Sequence, residues 1–411
     1  MLLVLSSKIA NIGLAKEGQM SYRWAKAHMT ILDKIKIKNE SKKPLSGYRI
    51  GFCLHITKET SVLVITAKML GAEIAICSAN PLSTQDDVAA FLYCQGIRIF
   101  AWRGQSEKQY RASIKSVLQF QPDILTDDGG DLHIAANKLG TRFYGGTEET
   151  TSGVKRLQIL QTSRRLRYPV VAVNNAHTKH LFDNRYGTGQ STIDGILRTT
   201  GLFLSGKQLV VCGYGWVGKG VSVRARGMGA IVTITEIDPI KALEAHMDGF
   251  NVKRLSDVAN IGDVFITCSG SSSTIREEHI VKMKDGAILA NAGHFDVEID
   301  INYLYSQDKF PVLVRPNVDC FKFRGKKLYL LSKGRVINLV GAEGNPSEVM
   351  ALSFANQLLS ILFLSKNYSS LENKVYNVPP EIDASVARYA LEAAKLKIDD
   401  CELQSRSRSL L

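Results

Sequence analysis

The chain has 411 residues, 45% hydrophobic and 22% charged, with a formal net charge of +13. That balance predicts a globular protein of two or three domains and excludes a disordered or fibrous chain. Its seven cysteines are odd in number, widely spaced and without a C-x-x-C pair, which argues against a disulfide frame or a thiolate zinc site.

In chain order, the opening MLLVL lacks the basic flank and apolar length of a signal peptide. The richest apolar run, Leu358 to Leu364, is far shorter than the ~18 residues of a membrane span. A cytoplasmic location is the expectation. Residues 1–45 read as helix followed by a basic loop carrying Lys34, Lys36, Lys38, Lys42 and Lys43. These lysines have no interleaved aromatics, so a solvated linker is a better reading than a nucleic-acid patch. From Tyr48 strands and helices alternate. YRIGFCLHI, AEIAICSAN, IRIFAW, DILTDDG and YPVVAVN read as strands. Lys58 to Leu70 reads as a helix, and Ser83 with Asp86 as the cap of another. Such alternation predicts a parallel sheet with helices on both faces.

A second α/β pattern begins near residue 207. The strand Leu209 to Cys212 runs into Gly213-x-Gly215-x-x-Gly218, then a helix, then a strand ending in Glu236. The first glycine permits a tight turn, the second lets backbone approach a pyrophosphate, and the third lets helix pack on strand. Glu236 follows Gly218 by eighteen positions, near the usual ~20 for the acid that holds the ribose diol, and its charge favours NAD over NADP. The pattern continues through DVFITCSG and GAILANAGHF and leaves the domain near Asn338. The apolar helix from Ser347 then packs back on the first domain. The predicted layout is therefore discontinuous. Residues 1–183, completed by 345–380, form one domain, 184–344 a Rossmann domain, and 381–411 a helical tail. Two crossings between domains imply a hinge beside a cleft.

Polar clusters stand at the strand ends of the first domain, where ligands of open α/β sheets bind. They are His55 to Thr60, Asp127 to Asp131, Glu148 to Ser152, and Asn174 to Asn184. Each alone has an ordinary reading as caps or solvated acids. Four together, facing a cofactor domain, point to a substrate site. His177 and His180 are three apart, but no acid or third imidazole completes a metal set, so no metal is expected.

HITKET, NPLSTQDD, DDGGDL, TEETTSGV, TKHLFDNRYGTGQSTIDGI, GYGWVGKG, NAGHFDVEID and NPSEVMALSFANQ together resemble the S-adenosyl-L-homocysteine hydrolase (adenosylhomocysteinase) family. The resemblance runs from Leu14 to about Ile398, and TKHLFDNRYGTGQS is similar to its archaeal and thermophilic branch. It implies reversible hydrolysis of S-adenosyl-L-homocysteine to adenosine and L-homocysteine, a tightly held NAD, and a homotetramer without nucleic-acid or membrane partners. In this chemistry the ribose 3′-hydroxyl becomes a ketone, C4′ loses a proton, homocysteine leaves C5′, water adds, and the ketone is reduced again.

The resemblance implies roles residue by residue. Lys179 and Asp183 fall at the ribose hydroxyls, with Lys179 moving the 3′ proton, which would call for a lowered pKa. His55 and Asp128 fall at the 5′ end, Thr57 and Glu149 at the ribose, and Glu59 at the adenine amino group. His294 would close over the site. For NAD it implies Thr150, Thr151, Ser152, Asn184, Gly213, Gly215, Trp216, Val217, Gly218, Lys219, Gly220, Glu236, Lys241, Ala292, Gly293, His294, Asn338 and Asn345. Asn345 also stands where the family usually has a histidine that helps hold adenine. Asn175 stands for a usual Asp, and Thr188 for a Cys of many members. The final SRSRSLL differs from the Lys- and Tyr-containing tail of longer members. Two rival readings share the fold: S-inosyl-L-homocysteine hydrolysis, which Glu59 opposes, and a non-catalytic NAD-binding regulator, which the intact polar set opposes.

Overall fold

The computed structural model describes residues 7–293 and 296–399. Its first sheet contains β1 (Arg49–Leu54), β2 (Glu73–Ser78), β3 (Arg98–Phe100), β4 (Ile124–Asp127), β5 (Gly145–Glu148) and β6 (Val170–Ala172). In space they run β3-β2-β1-β4-β5-β6, all parallel. The second sheet contains β7 (Gln208–Cys212), β8 (Ile231–Thr235), β9 (Asn251–Val252), β10 (Val264–Thr267), β11 (Ile288–Asn291), β12 (Val312–Arg315), β13 (Val318–Phe323) and β14 (Lys326–Leu331). Its order is β9-β8-β7-β10-β11-β14-β13-β12. Both sheets thus repeat the doubly wound order 3-2-1-4-5-6, in which the chain reverses direction between the first and fourth strands and opens a crevice there.

The second sheet is not wholly parallel. β12, β13 and β14 form an antiparallel edge. The β13–β14 turn is Arg324-Gly325, both with positive φ (48° and 79°), the two-residue geometry that matches strand twist. β5 is also a strand that composition conceals. A Cβ on Gly145 would lie 2.8 Å from Leu364, and one on Gly146 would lie 2.4 Å from the His133 ring. Glycine is required there because a helix and an imidazole press on the strand.

The first sheet is completed from far along the chain. β15 (Val375–Asn377) pairs in parallel with β6. The Ser347–Asn367 helix contributes Ala351, Phe354, Ala355, Leu358, Ile361 and Leu364 to the same apolar core as Ile50, Phe52 and Leu63. By length and composition this helix is apolar enough to cross a membrane, but 72% of its most apolar window is buried inside the protein. Truncating fully buried Leu358 to Ala would cost about 2–5 kcal/mol. The Pro380–Ala393 helix starts with proline at its first turn, where no N–H is needed, and buries Val386 in that core.

Two local expectations are corrected. Lys34, Lys36 and Lys38 lie on a helix, Thr30–Asn39, not in a loop. Lys34 pairs with Glu392 at 3.0 Å and Lys38 rides over the Tyr389 ring. The helix after β2 begins at Asp86 with Gln85 at its N-cap, so Ser83 is free for another task.

Candidate active site

The reversal point of the first sheet lies between β1 and β4, whose ends pair Cys53 with Asp127. His55 follows β1 and Asp128 follows β4. His55 Nε2 lies 3.6 Å from Asp128 Oδ2, and His55 Nδ1 lies 2.6 Å from Ser83 Oγ. Ser83 Oγ donates to the Asn80 carbonyl at 2.9 Å, so it accepts from Nδ1–H. That fixes the ring and turns Nε2 toward Asp128. Ser83, read from sequence as a helix cap, is the group that orients the histidine.

β4 and β5 each end in two acids, and the pleat sends them to opposite sides. Asp127 and Glu148 are cross-strand neighbours and wholly buried. Glu148 Oε1 accepts from Gly129 N (2.9 Å), Thr150 N (3.0 Å) and Thr150 Oγ1 (2.8 Å). Asp127 accepts from Asp128 N and His133 N. Burial pushes Asp127 up to about 7 and Glu148 well above the carboxylate range, and pulls His133 down to about 4. These three bring potential ligand atoms within 4.8 Å of one another. Both ring nitrogens of His133 are nevertheless engaged, with the Tyr168 hydroxyl and the Thr147 carbonyl, each at 3.0 Å. The cluster is a buttress under the cleft. The next residues on each strand, Asp128 and Glu149, line the cleft itself.

Lys179 is buried among acids. Its Nζ lies 3.2 Å from Asp183 Oδ2, 3.6 Å from Glu149 Oε1 and 3.0 Å from Asn184 Oδ1. Local geometry explains the convergence. Asp383, on the Pro380–Ala393 helix, accepts from the backbone of His177 (2.6 Å) and Thr178 (2.9 Å) and from the Thr178 hydroxyl. From His180 to Gly187 the chain then makes wide π-helical turns, which bring residues four and five positions beyond Lys179 to its side. Ser353 and Gln357, four apart on one helix face, reach Asp183 Oδ2 (2.8 Å) and Glu149 Oε2 (2.5 Å).

Burial pulls the Lys179 pKa down, but Asp183, Glu149 and Asp128 outweigh it and the net shift is upward. The expected lowering is therefore not what this arrangement produces. Burial raises Glu149 to about 8, against the opposing pull of Lys179.

Thr57 caps the Lys58–Met69 helix by accepting from Thr60 N. Glu59 is 2% exposed, and its Oε1 takes the Ser347 hydroxyl at 2.7 Å. Asn345 donates to Asp183 Oδ1 (2.5 Å) and Thr188 Oγ1 (3.2 Å) and accepts from Ser191 Oγ (2.7 Å) and Asn338 Nδ2 (3.3 Å). The Asn345 amide is thus engaged by Asp183, Thr188, Ser191 and Asn338.

A cavity of about 500 Å³ joins these groups to the second sheet. Thr150, Thr151, Ser152, Asn184, Gly215, Trp216, Val217, Lys241, Ala292, Gly293, Asn338 and Asn345 line it beside His55, Thr57, Glu59, Asp128, Glu149, Lys179 and Asp183. Gly213, Gly218, Lys219, Gly220 and Glu236 stand outside that lining. Gly213 turns with φ 110°, and a Cβ on Gly218 would lie 2.0 Å from the Gly213 carbonyl oxygen. A Cβ on Gly220 would lie 1.8 Å from the Arg185 carbonyl oxygen, so this glycine serves helix packing. Lys219 pairs with Glu244 at 2.5 Å. Glu236 accepts from Tyr214 N (2.7 Å), Ile237 N (2.7 Å) and Asp238 N (3.0 Å), which ties the end of β8 to the glycine turn. His294 lies outside the described residues.

The residues fit a dinucleotide. A Cβ on Gly215 would meet nothing within 4 Å, so the loop presents open backbone at the N-terminus of the Trp216–Gly227 helix. Asn338 Oδ1 is buried without a hydrogen-bond partner and suits an amide donor.

Comparison with known proteins agrees. Residues 6–141 match the family model "S-adenosyl-L-homocysteine hydrolase", and residues 184–344 match "S-adenosyl-L-homocysteine hydrolase, NAD binding domain". An adenosylhomocysteinase of Sulfurisphaera tokodaii is 54% identical over 95% of each chain. The chain belongs to the S-adenosyl-L-homocysteine hydrolase family. An adenosylhomocysteinase of Sulfolobus acidocaldarius is 52% identical over 97% of each chain. An S-inosyl-L-homocysteine hydrolase of Methanocaldococcus jannaschii is 49% identical over 96% of each. Like its family, the chain is a hydrolase that uses NAD. Against that identity, sequence reasoning missed Ser83, Ser353, Gln357 and Asp383. The one available signal was the polar set Ser353, Asn356 and Gln357 in the middle of a largely apolar helix.

Proposed function

We propose that the protein hydrolyses S-adenosyl-L-homocysteine reversibly to adenosine and L-homocysteine, with the thioether held in the cleft between the sheets. The observation that carries this reading is one cavity lined by both the Lys179–Asp183–Glu149 cluster and the His55–Asp128 pair. NAD, when bound, supplies a hydride acceptor for ribose C3′ and gives the hydride back at the end of the cycle.

The chain's own residues do the rest. Lys179 and Asp183 hold the ribose hydroxyls. Lys179 is kept as an ammonium, so it accepts the 3′-hydroxyl proton only after passing its own to a neighbouring carboxylate. Glu149, 3.6 Å away and raised to about 8, takes that proton only in its ionised form, which becomes the major one above about pH 8. His55 Nε2 and Asp128 serve C5′. The pair protonates the departing sulfur and takes a proton from the incoming water, while Ser83 keeps the ring aligned. Thr57 contacts the ribose, and Glu59 accepts from the adenine amino group. Thr150 to Ser152, Asn184, the Gly213–Gly218 turn, Glu236, Lys241 and Asn338 hold the dinucleotide.

The protein acts in the cytoplasm as a homo-oligomer, a tetramer. Ile237, Ile240, Leu243 and Met247 form an exposed apolar stripe on the second domain that supports such assembly. A second substrate reading, S-inosyl-L-homocysteine, is favoured by Asn345, whose amide is engaged by Asp183, Thr188, Ser191 and Asn338. The decisive test mixes the purified protein with adenosine, inosine and homocysteine while nicotinamide absorbance is followed. Reduced nicotinamide on adding adenosine, then thioether on adding homocysteine, is the expected result. No reduction with either nucleoside would overturn the reading.

A further inference from the structure

A second cavity, of about 430 Å³, opens at the far end of the first sheet from the cleft. The cleft lies beyond the last residues of β4 and β5. The second cavity lies before the first residues of β5 and β6, since Arg142 stands shortly ahead of Gly145 and Arg167 shortly ahead of Val170. Arg142, Arg164, Arg165 and Arg167 all line it, with Thr141 and Asn373. Its volume falls in the range of small-ligand pockets, about 300–1,000 Å³, but guanidiniums take the place of the usual apolar lining.

Arginines elsewhere pair with acids, as Arg156 does with Asp131 at 2.8 Å and Arg198 with Asp194 at 3.0 Å. Among the described residues, none of these four pairs with a carboxylate. Glu372, beside Asn373, turns to Lys374 at 2.9 Å. The Asp131–Leu139 and Thr151–Thr162 helices both end here, and their C-terminal dipoles supply roughly one negative charge between them against the four cations. Converging cations repel one another, and an anion between them relieves the repulsion. The backbone fixes their places. Gly140 ends the first helix with φ 72°, and a Cβ there would lie 3.5 Å from Arg167 Nη1. Arg167 N donates to Asn137 Oδ1 at 3.0 Å, and Arg165 Nε to Ser163 Oγ at 3.1 Å. Arg164 follows Ser163, the C-cap of the second helix, with φ 55°. Glycine ordinarily takes that position and conformation. Here a long cationic side chain is kept in spite of the backbone strain.

We propose that this hollow is a binding site for an oligophosphate anion, a chain of two or more phosphoryl groups, separate from the cleft and independent of its chemistry. Each guanidinium presents a planar fork of donors that fits phosphate oxygens. Thr141 and Asn373 offer neutral donors beside them. The arginines converge on one hollow, and no aromatic ring lines it. It therefore reads a phosphate chain, not the stacked bases of a nucleic acid.

The test is titration calorimetry at low ionic strength on the full-length protein saturated with NAD, so that phosphate chains cannot enter the dinucleotide site. Tripolyphosphate and ATP should bind with similar affinity, and orthophosphate about tenfold more weakly, because it spans fewer guanidiniums. Arg142→Ser and Arg164→Gly should each weaken tripolyphosphate binding about tenfold, the scale of one charge-assisted hydrogen bond. Glycine suits the backbone at 164, so that variant reads the lost charge and not a lost fold. Arg23→Ser removes an exposed arginine from the Ala15–His28 helix and should leave binding unchanged. No binding of tripolyphosphate overturns the proposal. Equal weakening in Arg23→Ser overturns it too, because net charge alone would then attract the anion. Binding of ATP without tripolyphosphate would make this a nucleoside site. A short single-stranded RNA that binds more tightly than tripolyphosphate, and is lost in the same two variants, would make it a nucleic-acid surface. Either result overturns the oligophosphate assignment.

Discussion

Lys179 Nζ lies 3.2 Å from Asp183 Oδ2, one helical turn away, and neither side chain reaches solvent to any extent. The pair is held from outside by Ser353 and Asn345, so either partner removed leaves the other buried and uncompensated. Lys179→Ala and Asp183→Ala should block reduction of bound nicotinamide on mixing with adenosine, by about 10²–10⁴-fold. Stopped-flow absorbance reads this directly. Reduction at the wild-type rate in either variant would remove the pair from the 3′ position.

His55→Ala should slow elimination of the 5′ group more than it slows nicotinamide reduction. Single-turnover measurements separate the two steps. Ser83→Ala should act in the same direction but more weakly, with an altered pH profile, because the ring loses the acceptor that fixes Nδ1–H. Equal loss of the reduction step in His55→Ala and Lys179→Ala would show that His55 does not act at the 5′ end.

The protein should purify with NAD, and Glu236→Ala should weaken that binding about tenfold or more. Glu236 accepts three backbone N–H groups, so its loss frees the glycine turn as well as a ribose partner. Denatured protein that releases no nicotinamide dinucleotide, from a preparation that also fails to bind added NAD, would refute the assignment.

Stability should fall between about pH 5 and pH 8. Asp127, raised to about 7, and Glu149, raised to about 8, keep protons in the folded state that the unfolded chain has lost above its ordinary carboxylate pKa. Their stabilising contribution is complete below that ordinary value and is lost as pH rises through the raised ones. Glu149→Gln should flatten the dependence by roughly 1–3 kcal/mol across this window, at about 1.4 kcal/mol per pKa unit. Calorimetry at pH 5, 6.5 and 8 measures it. A variant whose Tm falls as steeply as that of wild type would mean that Glu149 is already ionised at pH 5.

Adenosine should be preferred to inosine by roughly ten- to a hundred-fold, because the 6-amino group meets Glu59 directly. Asn345→Ala should leave that preference unmoved while slowing nicotinamide reduction about tenfold, since its amide is spent on Asp183, Thr188, Ser191 and Asn338. A shift in base preference would place Asn345 at the purine instead.

The sequence made the strand–helix alternation and the glycine turn legible because both rest on local patterns. His55 and Asp128 were expected after strands and stand directly after β1 and β4, because a strand's apolar run stops at the first polar residues beyond it. A strand end was expected before Glu149, but the span of β5 was not, because Gly145 and Gly146 answer to the packing of Leu364 and His133 and not to a local strand pattern. The β12–β14 edge was missed, although Arg324-Gly325 marks its turn. Ser83 was misjudged because a serine before an acid looks like a cap until His55 is brought beside it by β1 and β2. The direction of the Lys179 shift was beyond sequence reasoning as well. It depends on how many carboxylates the fold gathers around one amine, and three outweigh burial.

β15 and the Ser347–Asn367 helix also fix an order of events during synthesis. Strands β7 to β14 come from one uninterrupted stretch, 208–331, and can close their sheet as soon as it has emerged. The first sheet, although begun earlier, waits for its core helix and for a partner to β6 that lies 205 positions beyond Val170. A growing chain therefore finishes its second sheet first, and its first sheet remains open until Val375–Asn377 has been made. Ile50, Phe52 and Val171 stay without the side chains that cover them throughout that interval. Aggregation and chaperone dependence should therefore arise at the end of the molecule that was translated first.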